Sequence, residues 1–266
     1  MPYEDDLIYD VGMHRAEDTE FYLAKGFRVV AVEADPQLCA AAEERLRDHV
    51  ESGQLTIVQA AVADVEGPVD LYLNPKSEWN TIRPTWSDRN AELGSPSADV
   101  VTVPGVVFHS LVDKYGTPYY LKVDIEGADM LCIEGLRPPE IPKYLSVESE
   151  KVDWSALLHE FDVLTGLGYK KFKVVGQHRW PKVKAPNPPL EGKYVDRRFT
   201  LTSSGLFGEE APGEWISADA AIERYRRIFK QYRFRGDNGL LSRGPLGPLV
   251  MKAVKSPGWY DTHAAL

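Results

Sequence analysis

The chain has 266 residues, of which 43% are hydrophobic and 27% charged, and its formal net charge at pH 7 is −9. This composition is typical of a globular protein with a sizeable core, and no apolar run approaches the roughly 20 residues of a membrane-spanning helix. The negative net charge disfavours broad nucleic-acid binding, and the sequence contains no nucleic-acid-binding motif.

The distribution of charge and the two cysteines bear on the binding partner and on the cellular location. The first 150 residues carry 28 acidic and 12 basic side chains, whereas the remaining residues carry 12 and 19. The basic part is either a solvated tail or a surface that meets an anionic substrate. The acidic amino terminus lacks the basic and apolar regions of a signal peptide, and Cys39 and Cys132 lie in apolar segments. Both features predict a reducing, cytoplasmic location.

The predicted elements begin with residues 6–36, which have the pattern strand, tight turn, helix, strand. Gly12 interrupts the first apolar run, and residues 16–25 suit a helix because acidic side chains come early and a lysine comes last. Residues 29–32 are apolar and β-branched, and Glu33 follows them. A strand–helix–strand unit of about 30 residues that ends in a carboxylate is a common site for the ribose of an adenosine cofactor.

Strands and helices continue to alternate along the rest of the chain, which predicts an α/β fold with a mostly parallel sheet and helices on both faces. Residues 74–98 are polar and show no clear element, which is typical of a lid or insertion. Further strands are predicted at residues 55–63, 69–73, 100–107, 119–125, 144–148 and 169–175, and helices at residues 37–50, 110–115, 130–135, 154–167 and 217–234.

The pattern weakens after Gly176, where Lys, Pro, Gly and Ser become frequent. We therefore divide the chain into a cofactor-binding domain at residues 1–176, which contains the insertion, and a C-terminal extension at residues 177–266. The extension is expected to complete the edge of the sheet and the substrate pocket.

The turn after the first strand indicates which cofactor is bound. Gly12 lets a ligand approach the backbone, and the next helix presents unpaired N–H donors. A dinucleotide site calls for G-x-G-x-x-G, which is absent, and the spacing D-x-G-x-x-x-small suits S-adenosylmethionine instead. Glu33 can accept hydrogen bonds from both ribose hydroxyls and would repel a ribose phosphate.

The stretch KVDIEG places three charged residues on one side of a core strand. Successive side chains of a strand point to opposite faces, so Lys122, Asp124 and Glu126 share a face. Buried charges are costly unless they are paired or used, and ligands of open α/β sheets bind at this end of the strands. The alternatives are a structural Lys–Asp pair and an active-site wall.

Five stretches, DVGMH…EDT, VEADP, QAAVAD, KVDIEGAD and YLSVE, together resemble the FkbM family of S-adenosylmethionine-dependent methyltransferases, over residues 7–175. KVDIEGAD is the most specific of them. The resemblance implies a Rossmann-like class I methyltransferase fold, with a mostly parallel seven-stranded sheet whose last strand is antiparallel. It also implies methylation of a hydroxyl group on a small-molecule natural product or a sugar.

The resemblance further implies which residues bind the cofactor. They are Asp10, Gly12, His14, Thr19, Glu33, Ala61, Val62, Asp64 and Asp124. The first four would line the turn and the methionine side, Glu33 would hold the ribose, and the next three would border the adenine. The chain departs from the family at His14, where Asn is common, and at Ala16, where Gly is common. The methyl group of Ala16 would either crowd the cofactor or be harmless, the latter if the helix lies slightly further out.

Transfer of a methyl group to a hydroxyl requires the acceptor oxygen to be positioned and its proton to be removed, by a base or by a metal. Asp124, Glu126 and Glu148 offer either a base or an oxygen-rich Mg²⁺ site, and the lack of clustered His and Cys disfavours zinc. Among the histidines, His178 and His263 lie in loop-rich segments outside the cofactor sheet. We predict Asp124, Glu126 and His178 as catalytic, with Glu148 in a supporting position.

Two alternative functions remain open at this point. A non-catalytic S-adenosylmethionine-binding or scaffold protein is suggested by Ala16, and a nicotinamide-dependent oxidoreductase is disfavoured by the missing glycines. The expected partner is a small-molecule acceptor rather than nucleic acid or a membrane, and a homodimer is compatible with the sequence.

Overall fold

The computed structural model describes residues 3–150, 152–235 and 258–266, so part of the extension, at residues 236–257, lies outside the described residues. The strands are β1 (Glu4–Val11), β2 (Arg28–Glu33), β3 (Leu55–Gln59), β4 (Ala61–Val62), β5 (Gly67–Leu73), β6 (Asp99–Val106), β7 (Pro118–Val123), β8 (Tyr144–Glu148), β9 (Lys171–Gly176) and β10 (Tyr260–Ala265). The α-helices are α1 (Glu17–Ala24), α2 (Pro36–Arg45), α3 (Arg47–Glu51), α4 (Pro84–Glu92), α5 (Phe108–Tyr115), α6 (Asp129–Glu134), α7 (Trp154–Gly166) and α8 (Ala218–Arg235).

Seven strands form the main sheet in the order β3-β2-β1-β7-β8-β10-β9. The pairs among β3, β2, β1, β7 and β8 are parallel, and β10 is antiparallel to both of its neighbours. This confirms the predicted Rossmann-like class I methyltransferase fold. The order reverses between β1 and β7, and ligands of open α/β sheets bind outside the carboxyl ends of strands at such a point.

The extension enters the sheet differently from the prediction. We expected it to complete the edge, but its strand β10 lies inside the sheet, between β8 and β9. The edge is formed by β9, which precedes the extension. The polar residues Asp261, Thr262 and His263 of β10 are consequently buried.

Each face of the sheet has its own covering. One face packs against α5, α6, α7 and α8, around Tyr9 of β1. The other packs against α1 and α2 and against irregular segments of residues 177–215, where Phe207 stacks on Tyr120 of β7 with 4.5 Å between ring centroids. The described part of the extension therefore shares a core with residues 1–176.

A fully buried ion pair fastens the extension to the end of α1. Lys25 Nζ lies 2.9 Å from Glu210 Oε2, and neither side chain is exposed. Glu210 Oε1 also accepts the backbone N–H groups of Leu190 and Glu191. Both carboxylate oxygens of Glu210 therefore have donors, which is what a buried carboxylate requires.

The insertion, residues 74–98, connects β5 and β6 of a second, smaller sheet with strand order β4-β6-β5. Its residues form a 3₁₀ helix at Ser77–Trp79 and the helix α4, neither of which was predicted. The predicted strand at residues 55–63 divides at Ala60, where β3 of the main sheet ends and β4 of the small sheet follows. No helix among the described residues combines the length and the apolarity needed to cross a bilayer.

Glu160 on α7 should make the stability depend on pH. It is buried and accepts a hydrogen bond from Ser149 Oγ at 2.6 Å, and burial raises its pKa to about 8. Burial also raises the pKa of Asp261 to about 8. Between the unfolded pKa and about 8 the folded state therefore holds protons that the unfolded chain releases. The free energy of unfolding is then expected to fall as pH rises through this window.

Glu160→Gln removes one of these titrations and keeps an oxygen for Ser149. Its free energy of unfolding is expected to exceed that of the unmodified protein by about 2 kcal/mol at pH 8, and to equal it near pH 4. Urea unfolding at both pH values measures the difference. A difference that is the same at both would contradict the expectation.

Candidate active site

Three clefts open side by side at the carboxyl ends of the central strands. Their volumes, which include space open to solvent, are about 590, 990 and 940 Å³. Asp124 and Glu126 line all three. Characteristic lining residues are Glu33, Ala61 and Val62 in the first cleft, Asp18, Lys122 and Ser204 in the second, and Trp86, Glu148 and Glu160 in the third.

Glu33 ends β2 and faces the first cleft. Its Oε2 accepts the backbone N–H of His14 and its Oε1 that of Asp35, both at 2.8 Å. The residue is 9% exposed, and burial raises the pKa of its carboxyl. Since a carboxylate oxygen has more than one lone pair, each oxygen can still accept a hydrogen bond from a hydroxyl group in the cleft. This arrangement suits the two hydroxyls of a ribose.

Part of the lining of the first cleft is apolar. Ala61 and Val62 line it, as predicted positions for an adenine would. Asp64 differs from the prediction, because its side chain is exposed and pairs with Arg83 at 3.5 Å outside the cleft. The first cleft thus combines apolar side chains with the carboxylate of Glu33, as a nucleoside combines an apolar base with a polar ribose.

A buried ion pair stabilises the turn between β1 and α1. Lys122 Nζ lies 2.9 Å from Asp10 Oδ1 and donates to the carbonyl oxygen of Gly12 at 2.8 Å. Thr19 Oγ1 donates to Asp10 Oδ2 at 2.6 Å. Burial opposes the charge of Lys122, but the carboxylates of Asp10 and Asp124 outweigh it and raise its pKa. Asp10 and Thr19 are fully buried and line none of the clefts, so they support the turn rather than contact a ligand.

The turn itself has left-handed backbone at Gly12, His14 and Ala16, with φ of 83°, 51° and 57°. Such φ values cost a residue with a side chain about 1–2 kcal/mol, and Gly and Asn tolerate them best. The departures of this chain from the family therefore fall on strained backbone. Ala16 is fully buried in the core and lines no cleft, which agrees with the alternative that its methyl group is harmless.

Asp124 and Glu126 lie where the three clefts meet. The Asp124 side chain is 39% exposed and lies 3.9 Å from Lys122, whose main partner is Asp10. Glu126 lies 4.0 Å from Arg89 of α4. Both alternatives for KVDIEG therefore apply, but to different residues. Lys122 forms a structural ion pair, with Asp10, and Asp124 forms part of the wall of the clefts.

The insertion contacts the turn that carries Glu126. Thr81 Oγ1 donates to the Glu126 carbonyl at 2.8 Å, and the Trp86 ring lies so close to Gly127 that a Cβ there would be 2.4 Å away from it. Glu126 has a φ of 37°, so its backbone is also strained. Strained backbone persists only where the surroundings hold it, and it is concentrated at functional sites.

A second contact joins the insertion to the turn after β1. His14 Nε2 and Ser77 Oγ are 2.8 Å apart, and Asn80 Nδ2 donates to Asp35 Oδ2 at 3.1 Å. Burial lowers the pKa of His14. Ser77 and Asn80 line the first cleft, so the insertion forms part of its wall.

The other histidines lie away from the clefts. Of the six in the chain, all of them among the described residues, His14 alone lines any of these clefts, the first and the second. His178 is exposed and packs against the ring of Tyr260, so the prediction that it is catalytic is not supported. His263 is buried inside the sheet, where burial lowers its pKa to about 3.

Asp18 was missed from the sequence. Asp18 lines the second cleft, is 7% exposed, and accepts the backbone N–H of Ser204 at 2.9 Å. Burial raises its pKa to about 6. Its position early in a helix suggested only a favourable dipole interaction, and the partner loop is too far away in sequence to give a local signal.

The three carboxylates predicted as an alternative Mg²⁺ site do not converge. Within the described ranges, one group of three His or carboxylate side chains is close enough to share an ion, namely His109, Asp113 and Glu140. It includes two exposed carboxylates and lies outside the three clefts. A magnesium ion held by Asp124, Glu126 and Glu148 is therefore not supported.

Comparison with known proteins settles the family. A family model described as the methyltransferase FkbM domain matches residues 10–171, which is more than half of the chain. The chain belongs to the FkbM methyltransferase family. It is accordingly an S-adenosylmethionine-dependent methyltransferase, and the nicotinamide-dependent alternative is wrong. A comparison with curated proteins found no match.

Several solved methyltransferase structures are similar to this FkbM methyltransferase at low identity. An S-adenosylmethionine-dependent methyltransferase from Archaeoglobus fulgidus has 12% identity and a TM-score of 0.39, with 100% of this chain and 89% of that chain covered. One from Geobacter sulfurreducens, in complex with S-adenosylhomocysteine, has 9% identity and a TM-score of 0.35, with 99% and 84% covered. Precorrin-6y C5,15-methyltransferase from Geobacter metallireducens GS-15 has 15% identity and a TM-score of 0.34, with 65% and 68% covered.

The residues of this FkbM methyltransferase fit S-adenosylmethionine. The first cleft pairs the doubly accepting carboxylate of Glu33 with apolar side chains, which matches a ribose and an adenine. The second cleft holds both charge signs, at Asp18 and Lys122, which matches an amino acid. The two clefts share the bare backbone of Gly12.

Glu33→Gln is expected to weaken the binding of S-adenosylhomocysteine at least tenfold. The new amide NH₂ would face a backbone N–H that Glu33 now accepts, and one charged hydrogen bond to the ribose would be lost. Hydrogen bonds to charged groups contribute about 1.5–3 kcal/mol, which corresponds to roughly 10- to 100-fold in affinity. Calorimetric titration measures the change. Glu43→Gln, an exposed position on α2, is the control, and equal affinities of the two variants would contradict the role of Glu33.

Proposed function

We propose that this methyltransferase methylates a hydroxyl oxygen of a small molecule, a natural product or a sugar. The observation that carries the proposal is the position of Asp124 and Glu126, two carboxylates at the junction of all three clefts. A group that accepts a proton at this junction is what a hydroxyl acceptor requires.

In this proposal the first cleft holds the adenosine part of the cofactor, with Glu33 on the ribose and Ala61 and Val62 beside the adenine. Gly12 and His14 border the passage into the second cleft. When bound, S-adenosylmethionine supplies an electrophilic methyl group. This division of the clefts leaves the junction at Asp124 for the reacting groups.

Asp124 is proposed to accept the proton of the acceptor hydroxyl. Its side chain is partly exposed to the clefts, and Lys122 lies 3.9 Å away as a fixed positive charge. Glu126 would accept a hydrogen bond from another donor group of the acceptor molecule and so orient it. Most of the rate gain in such a site comes from positioning, and general-base catalysis adds a further factor.

The walls beyond the junction favour an acceptor that contains rings. Trp79 and Trp259 line the second cleft, and Trp86 and Trp259 line the third. Indole rings bury large apolar area against the faces of sugar or aromatic rings. Ala16 prompted the alternative of a non-catalytic protein, and that reason is removed because Ala16 lies outside the clefts.

Incubation with a methyl-labelled donor and a panel of glycosides, phenols and amines tests the proposal. Label is expected in a new O-methyl group, which product NMR identifies. Asp124→Asn should lower turnover of that acceptor by about 10²–10⁴-fold, because the proton acceptor is lost, and should lower S-adenosylhomocysteine affinity by a much smaller factor. Asp64→Asn, outside the clefts, is the control. Label on nitrogen alone, or an active Asp124→Asn, would contradict the proposal.

A further inference from the structure

The C-terminal extension reaches the active site through residues 200–204, which pack on the first turn of α1. The backbone N–H of Ser204 donates to Asp18 Oδ2 at 2.9 Å, and Thr202 Oγ1 donates to Glu17 Oε2 at 3.2 Å. The family match ends at residue 171, so this loop lies outside it. A segment beyond the family domain therefore forms one wall of the second cleft.

Asp18 carries a charge that its surroundings do not balance. It is 7% exposed and lines the second cleft, and the cation that acts on it is Lys122. The Lys122 ammonium is already bound to Asp10 Oδ1 at 2.9 Å and to the Gly12 carbonyl at 2.8 Å. The ammonium group whose charge acts on Asp18 is thus already bound to another carboxylate. A buried carboxylate in this position is stabilised by a further cation, which the second cleft has room to admit.

The cofactor would bring such a cation to this place. With its ribose on Glu33, the remainder of S-adenosylmethionine passes Gly12 into the second cleft and ends in an amino acid. We infer that Asp18, held by Ser204 of the extension, binds the α-ammonium group of S-adenosylmethionine. This inference rests on the cofactor placement in the proposed function. Arg15 lines the same cleft and offers a positive charge to the carboxylate of the same amino acid.

Two ligands separate this role from a general effect on the clefts. S-adenosylhomocysteine carries the amino acid, whereas 5′-methylthioadenosine has the same adenosine and thioether without it. Asp18→Asn is expected to weaken S-adenosylhomocysteine about 10- to 100-fold, the loss of one charged hydrogen bond, and to leave methylthioadenosine unchanged within twofold. Glu20→Gln makes the same charge change on the same helix outside the clefts, and should alter neither affinity.

A second variant tests the contribution of the extension without changing Asp18. In Gly205→Ala the new Cβ would lie 2.3 Å from the Trp180 ring, at a φ of 76°, and would displace the loop. It should weaken S-adenosylhomocysteine and spare methylthioadenosine. Gly53→Ala is the matched control, because Gly53 has a φ of 75° and nothing within 4 Å.

The outcomes are distinct. Unchanged S-adenosylhomocysteine affinity in Asp18→Asn, or equal losses for both ligands, would overturn the ammonium site while leaving the methyltransferase intact. Binding of neither ligand to the unmodified protein would overturn the cofactor placement itself. If Asp18→Asn does not fold, the ligand difference in Gly205→Ala decides in the same way, and equal affinities there overturn the inference.

Discussion

Replacing Gly12 with alanine is expected to abolish measurable binding of S-adenosylhomocysteine and to lower the free energy of unfolding by about 3 kcal/mol or more. A Cβ at Gly12 would lie 1.8 Å from the backbone oxygen of Asp124, at a φ of 83°. Asp124 cannot easily retreat, because its N–H donates to the carbonyl of Val11 at 2.9 Å. The turn and the end of β7 must therefore separate, which deforms the passage shared by the first two clefts.

Calorimetric titration and urea unfolding measure the two effects of Gly12→Ala. Gly94→Ala is the matched control, because Gly94 has a φ of 84° and nothing within 4 Å of its Cβ position. It should cost only the backbone strain, about 1–2 kcal/mol, and keep the affinity. If the two variants behave alike, the close approach of Gly12 to Asp124 is not what the site requires.

Lys122→Met is expected to lower the free energy of unfolding by about 3–5 kcal/mol, because it leaves the carboxylate of Asp10 buried without a countercharge. Asp10 is fully buried and keeps only the Thr19 hydroxyl as a donor. The Gly12 carbonyl also loses its donor at 2.8 Å. Urea unfolding measures the loss, and the affinity for S-adenosylhomocysteine should fall with it.

The double variant Asp10→Asn/Lys122→Met removes both charges and should regain much of the stability that Lys122→Met loses. Arg28→Met is the control for a surface ion pair, since Arg28 meets Asp6 at 2.8 Å with both side chains exposed. It should cost at most about 1 kcal/mol. If the costs of Asp10→Asn and Lys122→Met simply add, the buried pair does not act as a unit.

The parallel sheet could be predicted because its strands are nearly continuous apolar runs separated by helices. The small sheet could not, since the apolar run through Ala60 hides the place where the chain leaves one sheet for another. Strand β10 was not predicted because Asp261 and His263 are polar residues typical of loops. Their burial is explained only by the neighbouring strands β8 and β9.

Site residues could likewise be predicted where the signal lies in the neighbouring sequence, and not where it depends on a distant partner. Glu33 and Asp124 could be located because each follows an apolar strand, where alternation and strand ends fix a position. Asp10 was misplaced because its pairing with Lys122 depends on the register between β1 and β7, which one sequence does not reveal. Asp18 was missed because its partner Ser204 lies 186 residues away.

The position of β10 between β8 and β9 has a consequence for synthesis of the protein. In the described sheet β9 pairs with β10 alone, so it cannot join the other strands until residues 260–265 have left the ribosome. Chains are made from the amino terminus, and early parts fold as they emerge. The strands around Glu33 and Asp124 can therefore assemble first, with an open edge at β8 that invites wrong pairing. Chaperone binding to nascent chains that stop before residue 260 would be the cellular sign of this exposed edge.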